Sequence, residues 1–85
     1  MGTSMKARVY VSLKPTVLDP QGATIRSALV GLGHAMIAGV RQGKYFDIDL
    51  ADGVDRERAA KELEEISRDV LSNPVIENFR IEILE

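Results

Sequence analysis

The sequence predicts an α+β fold: a two-layer sandwich of order strand, helix, strand, helix, strand, with a long bent middle strand and the helices on one face of a small antiparallel or mixed sheet. Three observations carry this reading. Three segments alternate apolar and polar residues with the period of a half-buried strand. The two segments between them repeat apolar residues at helical spacing behind recognisable caps. The chain has 85 residues, enough for one core and too few for two.

From Lys6 to Lys14, residues Ala7, Val9, Val11 and Leu13 fall on one side and Arg8, Tyr10, Ser12 and Lys14 on the other, which is a strand with one buried face. Pro15 withholds a backbone donor and ends the ladder. Asp19 and Pro20 then open a helix. Aspartate at the N-cap accepts from an orphan N–H, and proline at the first helical position has the right φ and no donor to lose. Ile25, Ala28, Leu29 and Leu32 make one apolar stripe and Gly33 supplies a left-handed stop, so the first helix is predicted over Pro20 to Leu32.

In the next segment Val40, Gln42, Lys44, Phe46, Ile48 and Leu50 share one parity, and Arg41, Gly43, Tyr45, Asp47 and Asp49 the other. This reads as one long strand kinked at Gly43. The alternative is two strands joined by a turn at Arg41-Gln42-Gly43-Lys44, which gives a ferredoxin-like βαββαβ fold. Gly39 and the scarcity of apolar alternation in Ala35 to Val40 favour the single bent strand.

Asp55 caps a second helix, with Val54 and Ala59 as a hydrophobic staple. Ala59, Leu63, Ile66 and Val70 define its expected seam, widened by Ala60 and Leu71, opposite Glu57, Lys61, Glu64, Glu65 and Arg68. Asn73 and Pro74 stop it. Phe79, Ile81 and Ile83 then alternate with Asn78, Arg80 and Glu82 in a closing strand. Residues 1–4, Met-Gly-Thr-Ser before a second methionine, read as an expression leader, leaving 5–85 as a single domain.

Composition narrows the function. With 45% hydrophobic and 28% charged residues, and 11 Lys and Arg against 13 Asp and Glu, the chain is that of a soluble domain without the one-sided basic field of a nucleic-acid binder. It has no cysteine and one histidine, His34, so thiolate metal sites, cysteine nucleophiles and multi-histidine clusters are absent. The lack of cysteine suits a reducing cytoplasm, and no apolar run approaches the length of a bilayer span.

Little in the chain points to catalysis. His34 follows the helix stop, where a cation favours the negative helix end. Asp47, Asp49 and Asp52 form either a hard-metal site or, opposite Arg8, Lys14 or Arg80, an ordinary charged sheet face. No glycine-rich turn carries the Lys-Ser or Lys-Thr of a phosphate loop. Arg41 and Lys44, bracketing Gly43, are the better anion candidates, able to hold a phosphate or a partner's carboxylate; the plainer reading is an exposed bend. A small core and two open sheet edges lead instead to the expectation of a two-fold dimer, its tightest form running one sheet across two chains.

Val9-Tyr10-Val11-Ser12-Leu13-Lys14, Val17-Leu18-Asp19-Pro20-Gln21-Gly22, Ala28-Leu29 with Leu32-Gly33, and Val40-Arg41-Gln42-Gly43-Lys44 together resemble the PurS family. The resemblance runs over nearly all of Lys6 to Leu84, the C-terminal half by pattern alone. It implies a noncatalytic small subunit of phosphoribosylformylglycinamidine synthase, an ATP- and glutamine-dependent ligase of purine biosynthesis. In such an assembly a PurS-type dimer, in some cases a tetramer, bridges a synthetase (PurL-type) and a glutaminase (PurQ-type) subunit and favours ammonia transfer between them. No cofactor is implied for this chain; the complex would use ATP, magnesium and glutamine. On this reading Asp19, Gln21 and Gly22 fix the entry to the first helix, and Arg41, Gly43 and Lys44 present a polar bend to a partner. The same six residues read equally as folding signals with no partner contact. A different class, a dimeric α/β domain sensing a small molecule between its subunits, stands as the alternative.

Overall fold

The computed structural model describes residues 5–84, so the leader expected at 1–4 lies outside the described residues. Strand β1 covers Lys6–Leu13, helix α1 Pro20–Gly31, strand β2 Gly43–Asp49, helix α2 Arg56–Ile66 with a π-helical turn continuing it over Ser67–Leu71, and strand β3 Glu77–Leu84. The class and the order of elements are those predicted. The sheet has the order β2-β1-β3, with β1 central and antiparallel to both neighbours.

Cross-strand partners lie on the same face of a sheet, so the register shows how the alternation is used. Val9 stands between Phe46 and Ile81, Ala7 between Ile48 and Ile83, and Val11 between Lys44 and Phe79. Ala7, Val9 and Val11 are buried on this inner face. On the outer face Arg8 donates to Asp47 at 2.7 Å and lies 4.4 Å from the centre of the Tyr45 ring. Arg80 stacks 4.1 Å over Tyr10, whose hydroxyl donates to Glu82 at 3.2 Å. Such exposed pairs add little stability each. They do fix the register, because a one-residue slip would carry every partner to the wrong face.

Helix α2 supplies the second layer. Its cap is Asp55, which accepts from the Arg58 N–H at 3.3 Å, and it lies against β3. The buried line is Ala59, Leu63 and Ser67, which corrects the expected seam: Ile66 is 39% and Val70 74% exposed. The wider π turn that begins at Ser67 re-aims the residues beyond it, so Val70 leaves the stripe that an unbroken helix would have given it.

The middle strand is shorter than expected. β2 starts at Gly43, opposite Ser12, and Val40, Arg41 and Gln42 precede it as irregular chain, so Gly43 marks the strand's start and not a kink within it. The ladder stops there because the Gln42 N–H is bonded to the Asp19 carboxylate at 2.7 Å.

Helix α1 contributes little to the second layer. Gly22 is its one buried residue. The Cα radius of gyration is 16.8 Å, against about 12 Å for a compact chain of this length, and the long dimension is 51 Å. α1 projects past the end of the sheet as an arm, and the core is small: Ala7, Val9, Val11, Ala59 and Leu63.

Candidate functional site

The residues singled out in the sequence meet where this arm leaves the sheet. After β1 the chain turns tightly, with the Val17 N–H on the Lys14 carbonyl at 2.9 Å and the Lys14 N–H on the Ile76 carbonyl at 2.8 Å. Asp19 follows, 6% exposed, as the predicted N-cap of α1. Its Oδ1 accepts from the Gly22 N–H at 2.9 Å and its Oδ2 from the Gln42 N–H at 2.7 Å. The two N–H donors, Gln42 first, hold the Asp19 carboxyl below the usual carboxylate range against the opposing effect of desolvation, and the Arg41 charge adds to the shift.

Arg41 completes the joint. Its Nη2 donates to the carbonyl oxygens of Lys14 at 3.0 Å and Val17 at 2.9 Å. The segment that returns from the arm thus ties down the segment that led into it. Gly22 is required by contact and not by φ: a Cβ there would fall on the Val40 carbonyl oxygen and on the Asp19 carboxylate. Gly43 is set 2.9 Å, by the same measure, from the Val11 carbonyl oxygen, which is tighter than a side chain tolerates without a shift of backbone.

Of the six motif residues singled out, Asp19, Gln21 and Gly22 as the entry to the first helix and Arg41, Gly43 and Lys44 as a bend toward a partner, four serve the chain's own joint: Asp19, Gly22, Arg41 and Gly43. Gln21 and Lys44 are exposed. Lys44 lies 5.7 Å from the centre of the Phe46 ring, and both line a shallow cleft of about 240 Å³ whose walls include Asp19, Gln42 and Glu77. Arg41 has a structural role, its Nη2 bridging two backbone carbonyls, and the residue is exposed.

The other candidates are placed as follows. Gly33 is left-handed, φ 101°, and it donates to Val30 while the His34 N–H reaches the Leu29 carbonyl at 3.0 Å, so the stop is a Schellman turn. Asp47 pairs with Arg8, and Asp49 lies 3.9 Å from Lys6, as a charged sheet face requires. Among the described residues no three carboxylate, imidazole or thiol groups gather as a metal ion needs. Asp19 is the most buried acid among the described residues and a poor proton carrier, because a proton on either oxygen would disrupt one of its two backbone hydrogen bonds.

Sequence reasoning missed the second half of the joint. An N-cap carboxylate has one oxygen to spare after its own helix is capped, and that surplus was a signal; the identity of the acceptor's partner, 23 residues downstream, was not.

Comparison with known proteins agrees with this geometry. Residues 6–85 match the family model described as PurS, phosphoribosylformylglycinamidine (FGAM) synthase. A Mycobacterium leprae protein described as phosphoribosylformylglycinamidine synthase subunit PurS is 45% identical over 76 residues, covering 89% of this chain and 91% of its own length. The crystal structure of PurS from Methanocaldococcus jannaschii superposes with a TM-score of 0.84 at 36% identity, covering 95% of this chain and 96% of the other. A chain of the PurLQS structure from Thermotoga maritima has a TM-score of 0.86 at 24% identity over 98% of this chain and 100% of its own, a likeness of fold. Matched over almost its whole length, with the motif residues assembled into one joint, the chain belongs to the PurS family.

Proposed function

We propose that the chain is a noncatalytic bridging subunit of a phosphoribosylformylglycinamidine synthase, acting as a homodimer, or a pair of dimers, that joins a synthetase and a glutaminase subunit. Family membership over residues 6–85 carries this reading. It agrees with how the polar motif residues are used, since Asp19 and Arg41 hold backbone in place. The physical value of such a bridge is that ammonia released at one active site is lost to protonation and diffusion unless the next site is close and shielded from water. ATP, magnesium and glutamine belong to the larger subunits, and the assembly works in the cytoplasm.

Within this reading Gln21 and Lys44, exposed on the cleft beside the joint, are the motif residues able to meet a partner subunit. Co-expression with the synthetase and glutaminase of the same source, followed by size-exclusion chromatography with and without ADP and glutamine, tests the proposal. The expected result is co-elution of all three chains and a gain in glutamine-dependent synthesis. Full glutamine-dependent activity from the two larger subunits alone would overturn it. Lys44→Ala is expected to weaken co-elution without unfolding the chain, whereas Arg41→Ala should also loosen the 14–17 turn.

A further inference from the structure

The connection from β2 to α2, residues 50–55, is held at both ends and open in the middle. At one end the Leu50 N–H donates to the Met5 carbonyl at 3.0 Å. At the other, the Asp55 side chain accepts from the Arg58 N–H at 3.3 Å and its carbonyl from the Ala59 N–H at 2.8 Å. Between these anchors Asp52 and Gly53 form an exposed turn. Gly53 is left-handed, with φ 77°, and outside its chain neighbours nothing lies within 4 Å of where a Cβ would stand. Among the described residues no backbone hydrogen bond of the turns takes its N–H.

This is the geometry in which an aspartate can react with its own chain. The amide nitrogen of the following residue attacks the side-chain carboxyl carbon and closes a five-membered ring. The new N–Cγ bond forms, the Cγ–OH bond of the protonated carboxyl breaks, and the amide proton leaves with the hydroxyl as water. Water then reopens this succinimide at either carbonyl, and opening at the α carbonyl leaves the main chain running through Cβ, as isoaspartate. A following glycine favours the closure because it has no Cβ in the way and φ is free. Asp52-Gly53 is the one Asp-Gly or Asn-Gly step in the sequence, and the fold withholds the reaction from the other aspartates. Asp19 has both oxygens on backbone N–H groups, and Pro20 after it has no N–H to attack. Both Asp47 oxygens are on Arg8. The amide after Asp49 is the one bonded to Met5, and those after Asp55 and Asp69 belong to helical turns.

We infer that Asp52-Gly53 is a modification site, at which the folded chain forms isoaspartate without an enzyme, and that the product loosens the cap of α2. The added main-chain carbon falls between two anchored points, just ahead of Asp55. A cap works only while its residue keeps its own non-helical backbone angles, so the two amides that Asp55 serves should feel the change. The inference is independent of the bridging role.

The test uses the purified full chain, kept warm at neutral pH for several weeks. Electron-transfer fragmentation, which separates the two isomers, locates isoaspartate, and an isoaspartyl methyltransferase with S-adenosylmethionine counts it. Isoaspartate at position 52 is expected to exceed that at any other aspartate by about tenfold or more. Asp52→Glu, which would have to close a less favourable six-membered ring, should abolish the signal, and Gly53→Ala should lower it about tenfold. Alanine is strained at this left-handed position, so amide protection of β1 and α2 is measured in both variants, and Asp52→Glu decides alone if Gly53→Ala does not fold. Exchange of the Arg58 and Ala59 amides should be about tenfold faster in the aged fraction than in fresh chain. A folded chain that forms no isoaspartate at position 52 while a peptide of residues 48–58 forms it would overturn the site, as would a signal undiminished in Asp52→Glu. Unchanged exchange at Arg58 and Ala59 after ageing would overturn the effect on the cap.

Discussion

The two helices of this chain are attached by opposite means. α2 is held by apolar packing, with Ala59, Leu63 and Ser67 turned to the sheet and its many charges turned to solvent. α1 is held at its root by polar contacts, one carboxylate and one guanidinium on four backbone groups, and is almost bare along its length. Apolar packing fixes where an element lies by area, so many small losses are needed to free it. A joint of hydrogen bonds fixes direction through a few atoms and leaves a face open for something else.

Several changes would break or sharpen that contrast, each read as thermal or denaturant unfolding at one fixed protein concentration, because self-association shifts apparent stability. The largest loss should come from the packed helix: Leu63→Ala removes a side chain 1% exposed and is expected to cost about 2–5 kcal/mol, with cooperative loss of the sheet. Next is the joint. Gly22→Ala replaces a poor helix former by the best one, a change worth about 1 kcal/mol of gain in an open helix, yet here the new methyl group meets the Val40 carbonyl and the Asp19 carboxylate; a net loss of about 1–3 kcal/mol is expected. Gly31→Ala, with nothing within 4 Å of its added Cβ, is the control and should be neutral or gain up to about 1 kcal/mol. If both glycine variants gain stability, the joint is not closed.

Asp19→Asn supplies the pH dependence. Asparagine offers one acceptor oxygen where the carboxylate offers two, so it cannot serve Gly22 and Gln42 together. The carboxyl titrates below its usual range when folded. Its contribution is therefore complete above the unfolded value of about 3.9 and is lost as pH falls through the lower folded value. The melting temperature of D19N should lie on the order of 5 °C below that of the parent at pH 7, and the gap should close in strong acid. A gap unchanged from pH 7 to pH 2 would place the effect outside the carboxylate. The smallest effect belongs to Ser67→Ala: the hydroxyl is buried with no hydrogen-bond partner, so its removal should leave stability unchanged or raise it by about 1 kcal/mol.

The sequence was most legible where local chemistry decides. Alternation placed β1 and β3 to within a residue, and Asp19-Pro20, Gly33 and Asp55 marked helix ends that the structure uses as predicted. It was least legible where distant groups compete. The strand expected from Val40 begins at Gly43 because a side chain from before α1 takes the Gln42 donor. The apolar stripe of α1 is mostly exposed in the folded chain, since periodicity says that a face wants cover and not what covers it. At the candidate site Asp19 was legible as a helix cap, because capping is local; that its second oxygen and the Arg41 guanidinium tie together segments far apart in the chain was not, because those bonds depend on where the fold brings Gln42, Lys14 and Val17.

The single carboxylate that grips both Gly22 and Gln42 closes the whole excursion of chain between them at its base. Fraying at the tip, around Gly33 and Met36, has no route into the strands, because outgoing and incoming polypeptide are stapled together before they reach them. The protein is thus two compartments for unfolding with a narrow isthmus between, and the outer one can melt and re-form through many cycles while the inner one keeps its alignment.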